Sequence, residues 1–322
     1  MKTCDYGWES LRGDPLPWLL DARQPNIQWK ALSELVKRPL DSPAVNRARG
    51  GANVAEPLAS MLEGLQPDGS WVDDPPIWRP YSGSGWRLLA AVQWGADPND
   101  PRLQGAARAL LESAPGEGGF SLRRGKPPLP WLTARLLQGL AELRWCHHPR
   151  FQEALAWLEE GDGIRAGAGW RVIGRRSKLG ECAVTAAALL EALASCADRP
   201  RRKLEDRATA SIVSVLGETI GELARLGHPC LRRTDEAELL WALSRAGSSL
   251  DGGIVGALKR VQHRQLEGGV WRRDVAVPQS LAVTEFREPG GPSRWVTLKC
   301  VTALMTYAVE ARLPRMYPQK PD

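Results

Sequence analysis

Two acids in "TDEAELLWAL", Asp235 and Glu236, stand at the start of an apolar helical run. A carboxyl held in apolar surroundings keeps its proton, because desolvation disfavours the charged form, and it can then protonate a double bond. The same residues also read as a helix start: Asp235 with Glu238 three positions on has capping-box spacing, and acids suit a helix N-terminus. A cap residue can still line a cavity, so Asp235 and Glu236 are candidate acids under either reading. A second constellation is "GRRSKLGEC". Glu181 and Cys182 begin another apolar helix, with Arg175, Arg176 and Lys178 just upstream. Such surroundings lower a thiol pKa and can hold an anionic head group; the plainer alternative is a small cysteine in tight helix packing. A third set is aromatic. Trp78, Tyr81, Trp86, Trp131 and Trp295 stand before or at the starts of apolar helices, with "PPIWRPYSGSGW" as a rim loop. Aromatic walls suit hydrophobic chains and attract cations, or serve as ordinary packing.

Metal chemistry has weaker support. "WCHHPRF" puts two of the four histidines beside Cys146, where a solvated turn is the expected reading. His228 and Cys230 in "GHPC", with Cys182, form a second candidate set of ligands. No cofactor is expected, and zinc is retained only as the test of a metal-dependent alternative.

These residues must be positioned by helices. Four stretches end in a glycine turn followed by an aromatic: "QPDGSW" at Trp71, "GEGGF" at Phe120, "GIRAGAGW" at Trp170 and "LEGGVW" at Trp271. The spacing is 49, 50 and then 101 residues, so one copy is missing near residue 220. Fixed-period self-similarity indicates one supersecondary unit used repeatedly. Between the turns, amphipathic runs such as 54–65 alternate with runs that are apolar or small nearly all round, such as "WLTARLLQGLAEL" and "CAVTAAALLEALA". A helix apolar on every side is buried on every side. The pattern predicts an all-α fold of about six helical hairpins in two layers. Closure into a ring gives each inner helix two inner neighbours, so a central, apolar cavity is expected. The aromatic after each turn is expected to be structural glue.

Bulk properties set the remaining bounds. The chain has 322 residues, 43% hydrophobic and 25% charged, with a net charge of +6. The basic excess is dispersed and no nucleic-acid-binding module is present, so no nucleic-acid partner is expected. Six cysteines without a C-x-x-C pair suggest reduced thiols. With no apolar leader and no membrane-length run, a cytoplasmic location is expected.

"QPDGSW" resembles the QW repeat of the terpenoid cyclase and protein prenyltransferase superfamily. The stretches "DPLPWLL", "NIQWKAL", "YSGSGW", "TDEAELLWAL" and "GGPSRWVTLKCVTAL" resemble stand-alone bacterial squalene-cyclase-like proteins within it. The resemblance covers roughly residues 50–310 and implies a single (α/α)6 toroid of helical hairpins. The D-x-D-D of class II cyclases is missing, and "VDD" and "TDE" are the nearest acid pairs. Compared with prenyltransferase β-subunits, Arg175 and Lys178 match the diphosphate-holding pair and Cys182 the zinc thiolate. Gly180 stands where the zinc acid belongs, and Asp235 near the zinc histidine, so no zinc triad is implied.

The expected organisation is an N-terminal extension at 1–25, a toroid at 26–312 and a tail at 313–322. The expected function is a terpenoid-cyclase-like protein that holds a hydrophobic isoprenoid or lipid centrally, with acid-catalysed cyclisation or isomerisation as its chemistry. Asp235, Glu236, Glu181 and Cys182 are then the catalytic candidates. Trp78, Tyr81, Trp86, Trp131, Arg175, Lys178 and Trp295 are the substrate-binding candidates. The alternatives are a non-catalytic toroid binding a lipid or a protein partner, and prenyltransferase-like diphosphate chemistry. Peripheral membrane contact is left open.

Overall fold

The computed structural model describes residues 8–73, 77–79, 82–114, 116–160, 178–196, 202–218, 221–277 and 290–316; the side chains of 178–182 and 310–316 lie outside the description. The described chain is helical and contains no strand, only isolated bridges such as Leu65 with Trp71. Thirteen α-helices are described: α1 Leu16–Leu19, α2 Pro25–Lys30, α3 Pro43–Ala52, α4 Leu58–Met61, α5 Ser84–Gln93, α6 Pro101–Ser113, α7 Pro130–Glu142, α8 Pro149–Glu160, α9 Lys178–Ser195, α10 Arg202–Gly217, α11 Glu236–Ala246, α12 Gly252–His263 and α13 Arg294–Met316. A π turn, Ala31–Leu35, extends α2.

The two kinds of helix sort into two layers, as the hydrophobic pattern requires. Inner helices α7, α9, α11 and α13 are neighbours in succession, and α13 packs on the π turn after α2. The last gap is bridged by α5. Its first turn lies beside that of α7, where Trp86 stacks on Trp131. Its far end meets α2, whose Asn26 and Trp29 side chains donate to the carbonyls of Trp94 and Gly95. The outer helices α3, α6, α8, α10 and α12 pack behind. The fold is therefore an all-α, single-barrel toroid of helical hairpins, as expected. Among the described residues no helix is long and apolar enough to cross a membrane.

The repeated turns do the fastening. Trp71, Phe120 and Trp271 are buried, and Trp170 lies outside the described residues. Two copies share one hydrogen-bond pattern. The Phe120 N–H donates to Thr133 Oγ1 in α7 and its carbonyl accepts from the Leu129 N–H. Likewise, the Trp271 N–H donates to Thr297 Oγ1 in α13 and its carbonyl accepts from the Ser293 N–H. Each aromatic is thus tied to the first turn of the next inner helix. At the missing copy Leu223 is the nearest counterpart: it is buried, and its carbonyl accepts from the Glu236 N–H.

The glycines let each turn touch the next outer element. Gly69 sits at φ +86°, and a Cβ there would lie 2.0 Å from Ala106 N in α6. Gly269, at φ +75°, abuts Gly13, so the N-terminal segment fills the outer position for the last hairpin. Arg12 adds hydrogen bonds to Gln265 there. Gly69→Ala is expected to destabilise by at least about 1–3 kcal/mol, from the left-handed backbone alone. Gly125→Ala, also left-handed at φ +71° but with nothing within 4 Å of its Cβ, is the matched control. Urea unfolding of both variants checks this; equal midpoints would remove the close-approach account.

The structure corrects one cysteine expectation. Cys146, in the turn before α8, is disulfide-bonded to Cys196 at the end of α9, with Cα atoms 5.8 Å apart. Two segments 50 residues apart, one repeat, lie side by side there, bringing the thiols together. Cys230 and Cys300 are free and buried. The inference of a reducing compartment from unpaired thiols therefore loses its footing.

Candidate functional site

The axis of the barrel carries buried charges as well as apolar walls, which the expectation of an apolar cavity did not include. Inner helices α7, α9, α11 and α13 each contribute an ionisable side chain to the interior. Arg135 of α7 donates from both terminal nitrogens to the two carboxylate oxygens of Glu238 of α11, each at 2.8 Å, and both side chains are fully buried. The Arg135 guanidinium also donates to Gln138 Oε1 and to the Arg233 carbonyl. One level along, Glu142 of α7 accepts from Lys30 Nζ at 2.6 Å and from Arg245 Nη1 at 2.9 Å. Ser195 Oγ donates to Glu142 as well, and Arg245 reaches Glu34 in the π turn at 3.4 Å. The two levels join the first turns and the last turns of α7 and α11, so these helices run parallel.

Electrostatics follow from this pairing. Burial alone would raise the pKa values of Glu142 and Glu238, but adjacent cations outweigh it and hold both low. For Glu142 these are Lys30 and Arg245; for Glu238 they are Arg135 and Lys299. Glu191 of α9 behaves differently: burial, with Glu238 nearby, pushes its carboxyl up. Its Oε2 accepts from Trp241 Nε1 at 3.2 Å. Burial, with the nearby Lys299 charge, pushes His228 down, so the imidazole is neutral.

Among the described residues a cavity of about 40 Å³ lies beside these pairs, lined among others by Gln138, Glu191, His228, Trp241, Trp295 and Lys299. That is room on the order of three water molecules. Trp295, a predicted binding residue, lies in this wall, its ring stacked on His228 at 4.7 Å.

The other predicted residues part company. Asp235 is fully buried as the N-cap of α11: Oδ1 accepts from the Glu238 N–H at 3.0 Å and Oδ2 from the Gly227 N–H at 2.7 Å. Burial raises its pKa, against the pull of Arg233 at 3.6 Å. Asp235 is not among the residues lining the central cavity. Glu236 turns outward to Arg260 of α12. Trp78, Trp86 and Trp131 do come together. Trp78 meets Trp86 edge-on at 5.6 Å, Trp86 stacks on Trp131 at 6.1 Å, and Arg232 lies 5.5 Å over the Trp131 ring. Trp86 is buried, while Trp78 and Trp131 are half-buried. This aromatic group marks the end of the barrel where α5 and α7 begin.

Tyr81 and Arg175 lie outside the described residues, as do the side chains of Lys178, Glu181 and Cys182. Among the described residues no group of three His, Cys, Asp or Glu could hold a metal ion. Cys230 Sγ instead donates to the Gly227 carbonyl. The residues missed from sequence are the axial ones: Lys30, Arg135, Glu142, Glu191, Arg245 and Lys299. The available signal was a charge inside each near-uniform apolar run, with acids and bases nearly balanced in number.

No family model matches the sequence, and no curated protein does. Among solved structures, the chain is similar to the type II terpene cyclase MstE from Scytonema. In its apo form the likeness is 14% identity over 79% of this chain and 96% of that chain, at a TM-score of 0.25. A variant with geranylgeranyl dihydroxybenzoate (substrate) and another with merosterolic acid A (product) give 14% identity over 79% of this chain and 95% of that chain, at TM-scores of 0.28 and 0.25. A likeness this slight supports no conclusion about what the chain does.

Proposed function

We propose that this chain is a non-catalytic binding toroid that holds a hydrophobic ligand, an isoprenoid or lipid, at one end of the barrel rather than along its axis. The observation that carries this reading is the interior itself: ion pairs cross the axis, and among the described residues the cavity beside them is about 40 Å³. An isoprenoid chain is many times larger than three waters. The end where α5 and α7 begin has the right chemistry instead. Trp78 and Trp131 offer ring faces and edges to an apolar chain, and Arg232 offers a cation to an anionic head group. A protein partner presenting an apolar side chain would use the same surface.

Two measurements test this together. Mass spectrometry of the purified protein is expected to find a bound lipid or isoprenoid, released by Trp131→Ala. Incubation with squalene, geranylgeraniol and their diphosphate or epoxide forms is expected to return each unchanged. Turnover of any of them would overturn the non-catalytic part.

One observation favours a second reading, acid-catalysed cyclisation or isomerisation: burial keeps the Asp235 carboxyl towards its protonated form. Against it, both carboxyl oxygens are occupied by backbone N–H groups. The cap reading expects Asp235→Ala to cost about 1–2 kcal/mol of stability with no chemistry to lose. The acid reading expects Asp235→Asn to abolish a detectable turnover at unchanged stability. Thermal unfolding and product analysis on both variants separate the two. Metal content measured on the same sample tests the prenyltransferase-like alternative, which requires stoichiometric zinc.

A further inference from the structure

The polar atoms around the central cavity do not satisfy one another. Lys299 Nζ carries three donors, yet among the described residues its contacts are Cys230 Sγ at 4.0 Å and Glu238 Oε1 at 3.9 Å. The residue is more than nine-tenths buried. His228 is equally buried, and neither ring nitrogen makes a hydrogen bond of ordinary geometry, although the Gln93 backbone acts on the ring. Glu191 Oε1 is also unpartnered, although Oε2 accepts from Trp241. All three side chains line the same cavity. A buried donor left unmade costs about 1–3 kcal/mol, and more when charged, so a built core does not leave three such groups around one space without an occupant that serves them.

The charges say what kind of occupant. Lys30, Arg135, Arg245 and Lys299 bring four positive charges to the interior. Glu34, Glu142 and Glu238 bring three negative ones. Glu191 is the fourth carboxyl, and burial favours its neutral form. Arg233 and the buried Asp235 lie 3.6 Å apart and offset each other. Among the described residues Lys30, Arg135 and Arg245 each have a carboxylate oxygen within 2.9 Å, whereas the nearest to Lys299 lies at 3.9 Å, so Lys299 is the cation of the four left without a close anionic partner.

We infer that the cavity beside Lys299, His228 and Glu191 is a binding site for a small monovalent anion, of the size of a halide or formate. The Lys299 ammonium donates to it, the neutral imidazole adds one N–H, and a protonated Glu191 adds an O–H. Trp241, Trp295 and Leu298 also line the site, and the low dielectric around these buried groups strengthens each contact. The site is separate from the aromatic end group, and its ligand is too small to be confused with a lipid.

Bromide is the probe. Crystals grown in sodium bromide are expected to show one buried anomalous peak within hydrogen-bonding reach of Lys299 Nζ. In solution, the melting temperature is expected to rise saturably with chloride relative to gluconate at equal ionic strength, gluconate being too large to enter. Lys299→Met is expected to abolish the chloride response. Should that variant not fold, His228→Phe is the second reading, with the half-saturating chloride concentration raised at least about tenfold. An interior without anomalous density, or equal stabilisation by gluconate, would overturn the site and leave a water cluster in its place.

Discussion

Replacing Arg135 by alanine is expected to cost about 3–5 kcal/mol of unfolding free energy, because it strands the Glu238 carboxylate in the core. The partner is fully buried and accepts two 2.8 Å bonds from this one guanidinium, so nothing else of comparable geometry can replace them. Lys299, at 3.9 Å, is too distant to compensate. The conservative Glu238→Gln is expected to cost less, since the amide keeps one acceptor for Arg135. The double variant Arg135→Ala with Glu238→Gln is expected to fall short of the summed single costs by about 1–3 kcal/mol, the signature of residues in direct contact. Additive costs would mean the pair is not made.

The same substitution has a pH signature. The Glu238 and Glu142 pKa values are lowered from their ordinary 4.5 in the folded protein. Their contribution to stability is therefore fully present above about pH 4.5 and is lost as pH falls towards the folded values. Glu191 and Asp235, whose values are raised, contribute with the opposite sign, and stability falls as pH rises past their unfolded values. Arg135→Ala removes the group that holds Glu238 low. Urea unfolding from pH 7 to pH 3 is expected to show a shallower acid loss in Arg135→Ala than in the parent.

Trp271→Ala is expected to cost about 3–5 kcal/mol for a different reason, the cavity left by a large, fully buried ring. The indole Nε1 donates to the Val261 carbonyl at 2.7 Å, at the end of α12, so that hydrogen bond is also lost. Trp271→Phe keeps the ring and loses this hydrogen bond, and a cost of about 1–2 kcal/mol is expected. Phe120 fills the equivalent place one repeat after Trp71, so Phe120→Leu is expected to fall near Trp271→Phe. Thermal or urea unfolding of the three variants reads the order. A Trp271→Ala protein as stable as its parent would remove the fastening role of the repeated turns.

The repeated turn was the most legible feature in the sequence. Glycine followed by an aromatic at a fixed period is local chemistry, and Trp71, Phe120 and Trp271 sit as that chemistry requires. Asp235 as a cap was legible for the same reason, since its partner Glu238 is three residues away. The axial network was not. Arg135 and Glu238 are 103 residues apart, and each is flanked on both sides by an apolar residue. Only the packing of α7 opposite α11 shows that one charge answers the other. The charged part of the hollow was missed on the same grounds: "apolar nearly all round" describes a helix, but the few exceptions, Glu142, Glu191, Arg245 and Lys299, all meet in the middle. The disulfide escaped notice because Cys146 and Cys196 have no local pattern, only a separation equal to the repeat.

The central claim is that charge closes the axis and that a prenyl ligand is held at the aromatic end. Photo-crosslinking with a diazirine-bearing geranylgeraniol, mapped by peptide mass spectrometry, tests it most directly. Adducts are expected on Trp78, Trp131 and their immediate neighbours. Adducts concentrated on Leu89, Trp241 and Leu298, around the central cavity, would contradict it.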